Sequence, residues 1–477
     1  MLTTASPQTP QQALDAAGLT ARHWVVFGVI ALVLLADGMD ITIVSHVFPS
    51  LVREWGVGPA QITFIVTASF VAMGLGAVLA GRLADRFGRK TLTIGAMILL
   101  GVATAVLATA PNVEMFALWR IVSSFGLGGV MPVVLTLLAD LVPSANRGQL
   151  VAIVSTGVGL GTTCGAFLAG AIIPVAGWRT LMVLCGIIPL ALILPFLALV
   201  PESPTWLVVR RSAAKAQQAM TKLVPRSEVS PLHLVAPVGA EVDTGAFGVL
   251  LSRRFAVTTA LIWTYALIGL GLQMTIVQYL PTLLQAPVPG LSTGQSSLVV
   301  GLYGAASTVG NLLLGMLLRK YSRFSVVGIF LALSIACLIL IGTNPAMDFP
   351  LLVLMMSLTG LVLPTVLGGT QNIFAAIAYP ARVRATGVGA GSLAGRVGSV
   401  AGGLTGGTII GAGLGFSGFF LVLALPVAVM IGVVVGLKTD ARRHGADGPD
   451  GGQVDTDPLQ TTEDGPTEQR ATPHMRV

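Results

Sequence analysis

Residues 81–90 read GRLADRFGRK, a charged segment between two apolar runs, and residues 315–324, GMLLRKYSRF, stand in the same position between two later runs. A second pair, PSANRGQLVAIVSTGVGLG (143–161) and PARVRATGVGAGSLAGRVG (380–398), recurs at nearly the same long offset. Self-similarity at a fixed period marks a chain built from two copies of one unit. The flanks of the charged segment say what the unit is. Apolar stretches there, and throughout the chain, repeatedly reach the ~20 residues that cross ~30 Å of hydrocarbon as a helix.

Composition agrees. Of 477 residues, 54% are hydrophobic and 10% charged, against the roughly 25% charged of a soluble domain. The 58 glycines are spread through the apolar runs, which suits close helix packing. A transmembrane barrel would instead show short alternating segments. The expected fold is an all-α membrane protein with twelve transmembrane helices in two six-helix pseudo-repeats. The spans fall near 24–48, 61–82, 92–111, 115–139, 149–173, 179–200, 255–280, 296–318, 325–343, 350–376, 385–411 and 415–437. The expected domains are a cytoplasmic segment 1–23, a bundle 24–200, a cytoplasmic linker 201–254 rich in Arg, Lys, Pro and Ser, a bundle 255–437 and a disordered cytoplasmic tail 438–477 rich in Asp, Gly, Thr and Pro. Residues before Trp24 are polar, with Pro7 and Pro10 and no apolar core of signal-peptide type, so the first run is expected to stay as a span.

Charge sets the orientation. Of 27 Lys and Arg, only Arg53 and Arg179 fall in loops on the outer side and only Arg120 and Arg396 fall inside spans. The rest lie on the side that carries both termini, which the positive-inside rule places in the cytoplasm. The net charge of +7 is therefore topology rather than a nucleic-acid surface. Cys164, Cys185 and Cys337 lie in apolar runs without CxxC spacing, so neither a metal site nor a disulfide framework is expected. No nucleophile and base set, metal cluster or phosphate loop appears, which argues against an enzyme and against any cofactor.

Four charges inside the spans need a reason. LLADGMDITIV (34–44) places Asp37 and Asp40 three apart on one helix, roughly 20 to 24 Å along the span from Trp24. A charge at that depth costs at least ~3 kcal/mol, so such residues are expected to be functional. Two acids this close repel when both are ionised, which favours proton binding; the alternative is a fixed ion pair with Arg120 or Arg396. Arg120 either joins a proton relay with span one or fixes helix packing, and the two stay open. Arg396 lies about 18 Å into span eleven from Arg384. A guanidinium offers a planar fork that stays charged, so Arg396 is expected to hold a carboxylate substrate, with a latch across the halves as the alternative. His46, at the outer end of span one, is expected to be an interfacial residue.

GRLADRFGRK between spans two and three resembles the signature loop of the major facilitator superfamily, and RIVSSFGLGG (120–129) resembles its span-four motif. PESPTWL (201–207) is similar to the end of span six in its sugar and organic-anion carriers. DGMD (37–40), YPARVRATGVG (379–389) and GRVG (395–398) are similar to the aromatic acid/proton symporters, apart from Met39, where that family usually carries an aromatic. GTTCGAFLAG (161–170) has Ala166 where the drug antiporters carry proline, which argues against export. The resemblance implies the major facilitator fold and a proton-coupled importer of benzoate or a hydroxybenzoate by alternating access in the cytoplasmic membrane. The rivals are a proton symporter for a non-aromatic acid or sugar and a transporter-like nutrient sensor. The implied partners are a small aromatic carboxylate, protons and the lipid bilayer, with no nucleic acid and no obligate protein.

With a ring as substrate, Trp263, Tyr265, Gln273, Gln278, Tyr279, Gln371 and Asn372 become candidates, Gln273 and Asn372 foremost. On the cytoplasmic side Asp85, Arg86 and Arg89 are expected to form a gate, Asp85 pairing across the bundle interface or capping a helix. Asp140 and Arg147 flank the next cytoplasmic loop and are expected to act likewise.

Overall fold

The computed structural model describes residues 8–224, 246–368 and 370–443, and every element in it is an α-helix. In chain order the long helices are span one, Ala21–Trp55; two, Pro59–Phe87; three, Arg89–Leu107; and four, Val113–Leu141. Spans five and six lie within Ser144–Leu199 and are separated by a kink at Gly177, where φ is 79°. Then come span seven, Ala256–Leu284; eight, Thr293–Lys320; nine, Arg323–Thr343; ten, Phe349–Leu367, continued by Thr370–Ala378; eleven, Ala381–Gly411; and twelve, Gly415–Arg443. All backbone polar groups in a bilayer must be satisfied within the segment, which leaves the helix as the only form for these runs. The face bearing the 200–255 segment and both ends of the described chain is called the linker face below, and the opposite one the far face.

The internal repeat survives in the turns. Span two ends at Gly88 and span eight at Tyr321, and spans five and eleven both start directly after a proline, Pro143 and Pro380. Gly88 has φ 102°, and a Cβ there would run into the Glu202 carboxylate, so only glycine fits. The packing repeats too. Span one lies against span five where a Cβ on Gly38 would overlap the Val158 carbonyl and one on Gly161 the Leu35 carbonyl. Span seven lies against span eleven in the same way, through Gly398 on Leu267 and Gly402 on Gly271. Small residues allow this approach, and the resulting dispersion contacts hold the pairs together.

A side chain at such a point should therefore break the bundle. Gly161→Val is expected to cost ~3 kcal/mol or more by overpacking and to abolish the monodisperse peak in size-exclusion chromatography. Gly95→Val, where nothing lies within 4 Å of an added Cβ, should leave that peak intact.

The two halves touch toward the far face. Span two meets span eleven where Thr63 and Thr67 face Gly407 and Gly403, and span five meets span eight through Phe167 on Gly301 and Ser297 beside Gly170. Two hydrogen-bond contacts join them as well: Gln278 Nε2 donates to the Ile41 carbonyl at 2.9 Å, and His46 Nδ1 lies 3.2 Å from Ser297 Oγ.

Several expected boundaries move. Span one was expected to end near Phe48 but runs through Pro49 to Trp55, so Arg53 sits in the last helical turn rather than a loop. Tertiary contacts account for the extension. Glu54 accepts from Trp178 Nε1 at 2.9 Å and Arg179 Nη1 at 3.0 Å, and Trp55 packs edge-on against Trp178 and Phe116. Span ten was expected unbroken but is divided after Leu367, where two glycines follow Pro364.

The N-terminal segment carries its own helix, Pro10–Ala17, with a Thr9 capping box. Its Asp15 accepts from Ser144 N at 2.6 Å and Ser144 Oγ at 2.7 Å. Slight burial pushes the Asp15 carboxyl up, but the bonds from Ser144 and Gln11 and the charge of Arg147 outweigh this and hold it below the usual carboxylate value. Ala13 and Leu14 of this helix belong to the same buried apolar cluster as Ala216, Ala219 and Met220 of the linker helix Ala213–Met220. The tail expected to be disordered from residue 438 instead continues span twelve as helix to Arg443; residues beyond 443 and linker residues 225–245 lie outside the described residues.

Candidate functional site

Asp40 and Asp37 are each 3% exposed, but they have different neighbours. Asp40 turns into the first half. Its Oδ2 accepts from Arg120 Nη1 at 2.6 Å, its Oδ1 accepts from Thr104 Oγ1 at 3.1 Å, and Arg120 Nη2 donates to its carbonyl at 3.4 Å. Spans one, three and four are thus joined by one saturated cluster. A buried pair with this many bonds offsets much of its desolvation cost, whereas either partner alone would not.

Asp37 has no such partner. Its Oδ1 is buried without a hydrogen bond, and the charges acting on it are Asp40 on its own helix and Arg396 on span eleven. Arg396 is half-buried, and among the described residues no carboxylate lies within ion-pair distance of it. The midplane therefore holds one complete ion pair within the first half and one incomplete pair, Asp37 and Arg396, contributed by different halves.

Farther along span one a narrow cavity opens between spans one, two, four and seven. About 10 Å³ is free, room for about one water. Its polar lining is Arg120, Ser69, Ser124 and Gln278, and its rings are Phe48 and Phe70. Sequence reasoning missed Thr104, Ser69 and Ser124, since a lone Ser or Thr in an apolar helix usually bonds its own backbone.

The weaker candidates separate. Tyr265 and Tyr279 donate to the Val366 and Gly403 carbonyls, both at 2.7 Å, so they fasten helices. Trp263 Nε1 has no partner and its ring packs on Phe247. Gln273 keeps a buried Oε1 without a partner and borders Gly368 at the break in span ten. Asn372 is exposed, and the buried amide beside it is Gln371, whose Oε1 is also unpartnered. His46 corrects the expectation of an interfacial residue: it is 0% exposed, enclosed between the halves against Ser297.

The linker-face residues also rearrange. Asp85 is exposed, and its backbone carbonyl, not its carboxylate, accepts from Trp206 Nε1 at 2.9 Å. Arg86 is exposed and lies over the Phe87 ring. Arg89 pairs with Asp140, which also accepts from Ser203 Oγ. Glu202, missed by sequence reasoning, accepts from Lys90 N at 2.9 Å. Arg147 donates to Gln11 Oε1 at 2.6 Å and so holds the N-terminal helix. These contacts stay within the first half and its flanking segments, and none of them is the pairing across halves expected of Asp85. Among the described residues no cluster of His, Cys, Asp and Glu could hold a metal ion.

Comparisons with known proteins bear on this geometry. A family model described as Major Facilitator Superfamily matches residues 30–403. The chain is 31% identical over 379 residues to the gallate transporter of Pseudomonas putida, covering 79% of this chain and 83% of that one. It is 29% identical over 383 residues to the 4-hydroxybenzoate transporter PcaK of Pseudomonas aeruginosa, covering 79% and 84%. With the benzoate transport protein of Acinetobacter baylyi it shares 28% over 403 residues, covering 81% and 83%. Among solved structures the fold matches a D-xylose-proton symporter with a TM-score of 0.68 at 17% identity, covering 87% of this chain and 97% of that one.

Proposed function

This chain belongs to the Major Facilitator Superfamily, among its aromatic acid transporters, and from that membership and the unfinished ion pair at its midplane we propose that it imports a small aromatic monocarboxylate together with protons. The carrying observation is the pair split between halves: Asp37 with an unbonded oxygen and Arg396 without a carboxylate in reach. Empty, the pair is neutral as Asp37 anion and Arg396 cation. With the substrate carboxylate on the Arg396 fork and a proton on Asp37 it is neutral again. With only one of the two bound it carries a net charge in a low-dielectric site, which costs several kcal/mol. Substrate and proton therefore cross together.

Contact between the halves toward the far face closes that side. The distribution of Lys and Arg supports a cytoplasmic linker face, with both termini inside and the protein in the cytoplasmic membrane. The halves are taken as bundles 24–200 and 255–437 around linker 201–254. Arg89, Asp140, Ser203 and Glu202 tie the linker-face ends of the first bundle, so that it moves as one body when the halves rock. Asp85, free on this face, is the acid that would engage the second half when that side closes.

The test is uptake into proteoliposomes of labelled benzoate and 4-hydroxybenzoate, with an imposed proton gradient and after its collapse, against xylose and an aliphatic acid. Accumulation of the aromatic acids only while the gradient holds is the expected result. Failure of every aromatic acid to enter or compete removes the substrate class. In the same assay Arg396→Lys keeps the charge but loses the bidentate fork, and KM is expected to rise about tenfold or more.

A further inference from the structure

The cavity beyond Asp40 has a chemistry of its own. Buried serines in these spans usually satisfy themselves: Ser45, Ser123, Ser334 and Ser399 each donate to a carbonyl three or four residues earlier. Ser69 and Ser124 do not. They are 6% and 1% exposed, their hydroxyls have no partner, and both line the same cavity. A buried unpaired hydroxyl costs roughly 1 to 3 kcal/mol, so two of them facing one space call for a polar group to occupy it.

Charge narrows the choice of group. Arg120 borders the cavity, but its guanidinium is committed to the Asp40 carboxylate at 2.6 Å, so this end carries no free positive charge to hold an anion. The remaining lining is neutral hydroxyls, the Gln278 side chain and apolar walls that include Phe48 and Phe70. A neutral hydroxyl, both donor and acceptor, fits two serines; a carboxylate can accept from both but has no free countercharge here. Position narrows it further. The span-one wall begins at Ile41 and Val44, four and seven residues beyond Asp37, which is ~6 and ~10 Å further along the helix. Measured from Asp37, whose charge acts on Arg396, that offset is about the length of a ring substituted at opposite ends.

We propose that Ser69 and Ser124 form a subsite that reads a ring hydroxyl remote from the carboxylate, so that the carrier selects 4-hydroxylated over unsubstituted aromatic acids. The proposal rests on the import of aromatic acids proposed above. With the carboxylate on Arg396, the ring stays on the Arg396 side of the cavity, which has room for about one water, and only the phenolic O–H enters it, donating to one serine and accepting from the other. The site disfavours benzoate relative to 4-hydroxybenzoate, not by a clash but by leaving both hydroxyls unpaired.

The test is competition against labelled benzoate uptake in proteoliposomes by benzoate, 2-hydroxybenzoate and 4-hydroxybenzoate, for the wild type, Ser69→Ala and Ser124→Ala. The wild type is expected to prefer 4-hydroxybenzoate over benzoate by about tenfold or more, with no such gain for the 2-hydroxy isomer, whose hydroxyl stays beside the carboxylate. Each alanine variant should lose most of that preference, a roughly tenfold change in the ratio of inhibition constants. Because the ratio is read within one preparation, altered yield does not imitate it. Benzoate uptake without a 4-hydroxy preference in the wild type, or a preference that survives both substitutions, overturns the subsite and leaves the importer standing. No uptake or competition by any aromatic acid overturns both.

Discussion

Asp37→Asn is expected to abolish proton-driven accumulation while leaving exchange of labelled for unlabelled substrate across the membrane. With asparagine at 37 the site still offers the Arg396 guanidinium to a carboxylate, and nothing then competes for that charge. What is lost is the proton that crosses with the anion. Each missing proton leaves one more negative charge to be moved against an inside-negative potential, ~2.3 kcal/mol per 100 mV, or about a 50-fold fall in the accumulation ratio. Net uptake and counterflow measured on the same vesicles separate the outcomes. Equal loss of both would make Asp37 a substrate ligand or a structural residue, and unchanged accumulation would place the proton elsewhere.

The second large effect concerns stability. Arg120→Met strands the Asp40 carboxylate in a site 3% exposed with only Thr104 as partner, and removing one member of a buried pair costs ~3 to 5 kcal/mol. The thermal midpoint in detergent should drop sharply. Combining it with Asp40→Asn removes the stranded charge and should recover much of the loss, a coupling that a double-mutant cycle measures directly. Arg179→Met makes the contrast: its pair with Glu54 has side chains 46% and 43% exposed, and such pairs contribute about 1 kcal/mol or less. A small effect at Arg120, comparable with that at Arg179, would mean that the 2.6 Å contact contributes no more than an exposed pair.

The four charges of the midplane were legible because intramembrane charge is rare and each instance stands out against an apolar run. Their pairing was not. Asp37 and Asp40 share a helix face by spacing, yet one bonds Arg120 and the other is acted on by Arg396, a difference of azimuth set by how span one is seated against spans four, five and seven. His46 shows the same gap. Position along the helix placed it near the membrane surface, and only the approach of span eight, with Ser297 against it, buries it. Ser69 and Ser124 carried no signal at all, since an unsatisfied serine and a self-bonded one are spelled alike. At the linker face the expected pairing of Asp85 across the halves requires that side to be closed, and here Asp140 holds Arg89 within the first half instead.

By itself the sequence determined the twelve crossings, the two copies of six helices and the four charges that the bilayer makes costly, because hydropathy, helix length and backbone satisfaction are properties of each segment alone. Only the tertiary structure decided which acid is paired and which is left with an unbonded oxygen, that the halves meet toward the far face, and that two serines share one cavity. Those depend on the rotation and separation of helices far apart in the chain, which close glycine contacts such as Gly161 on Leu35 and Gly398 on Leu267 set.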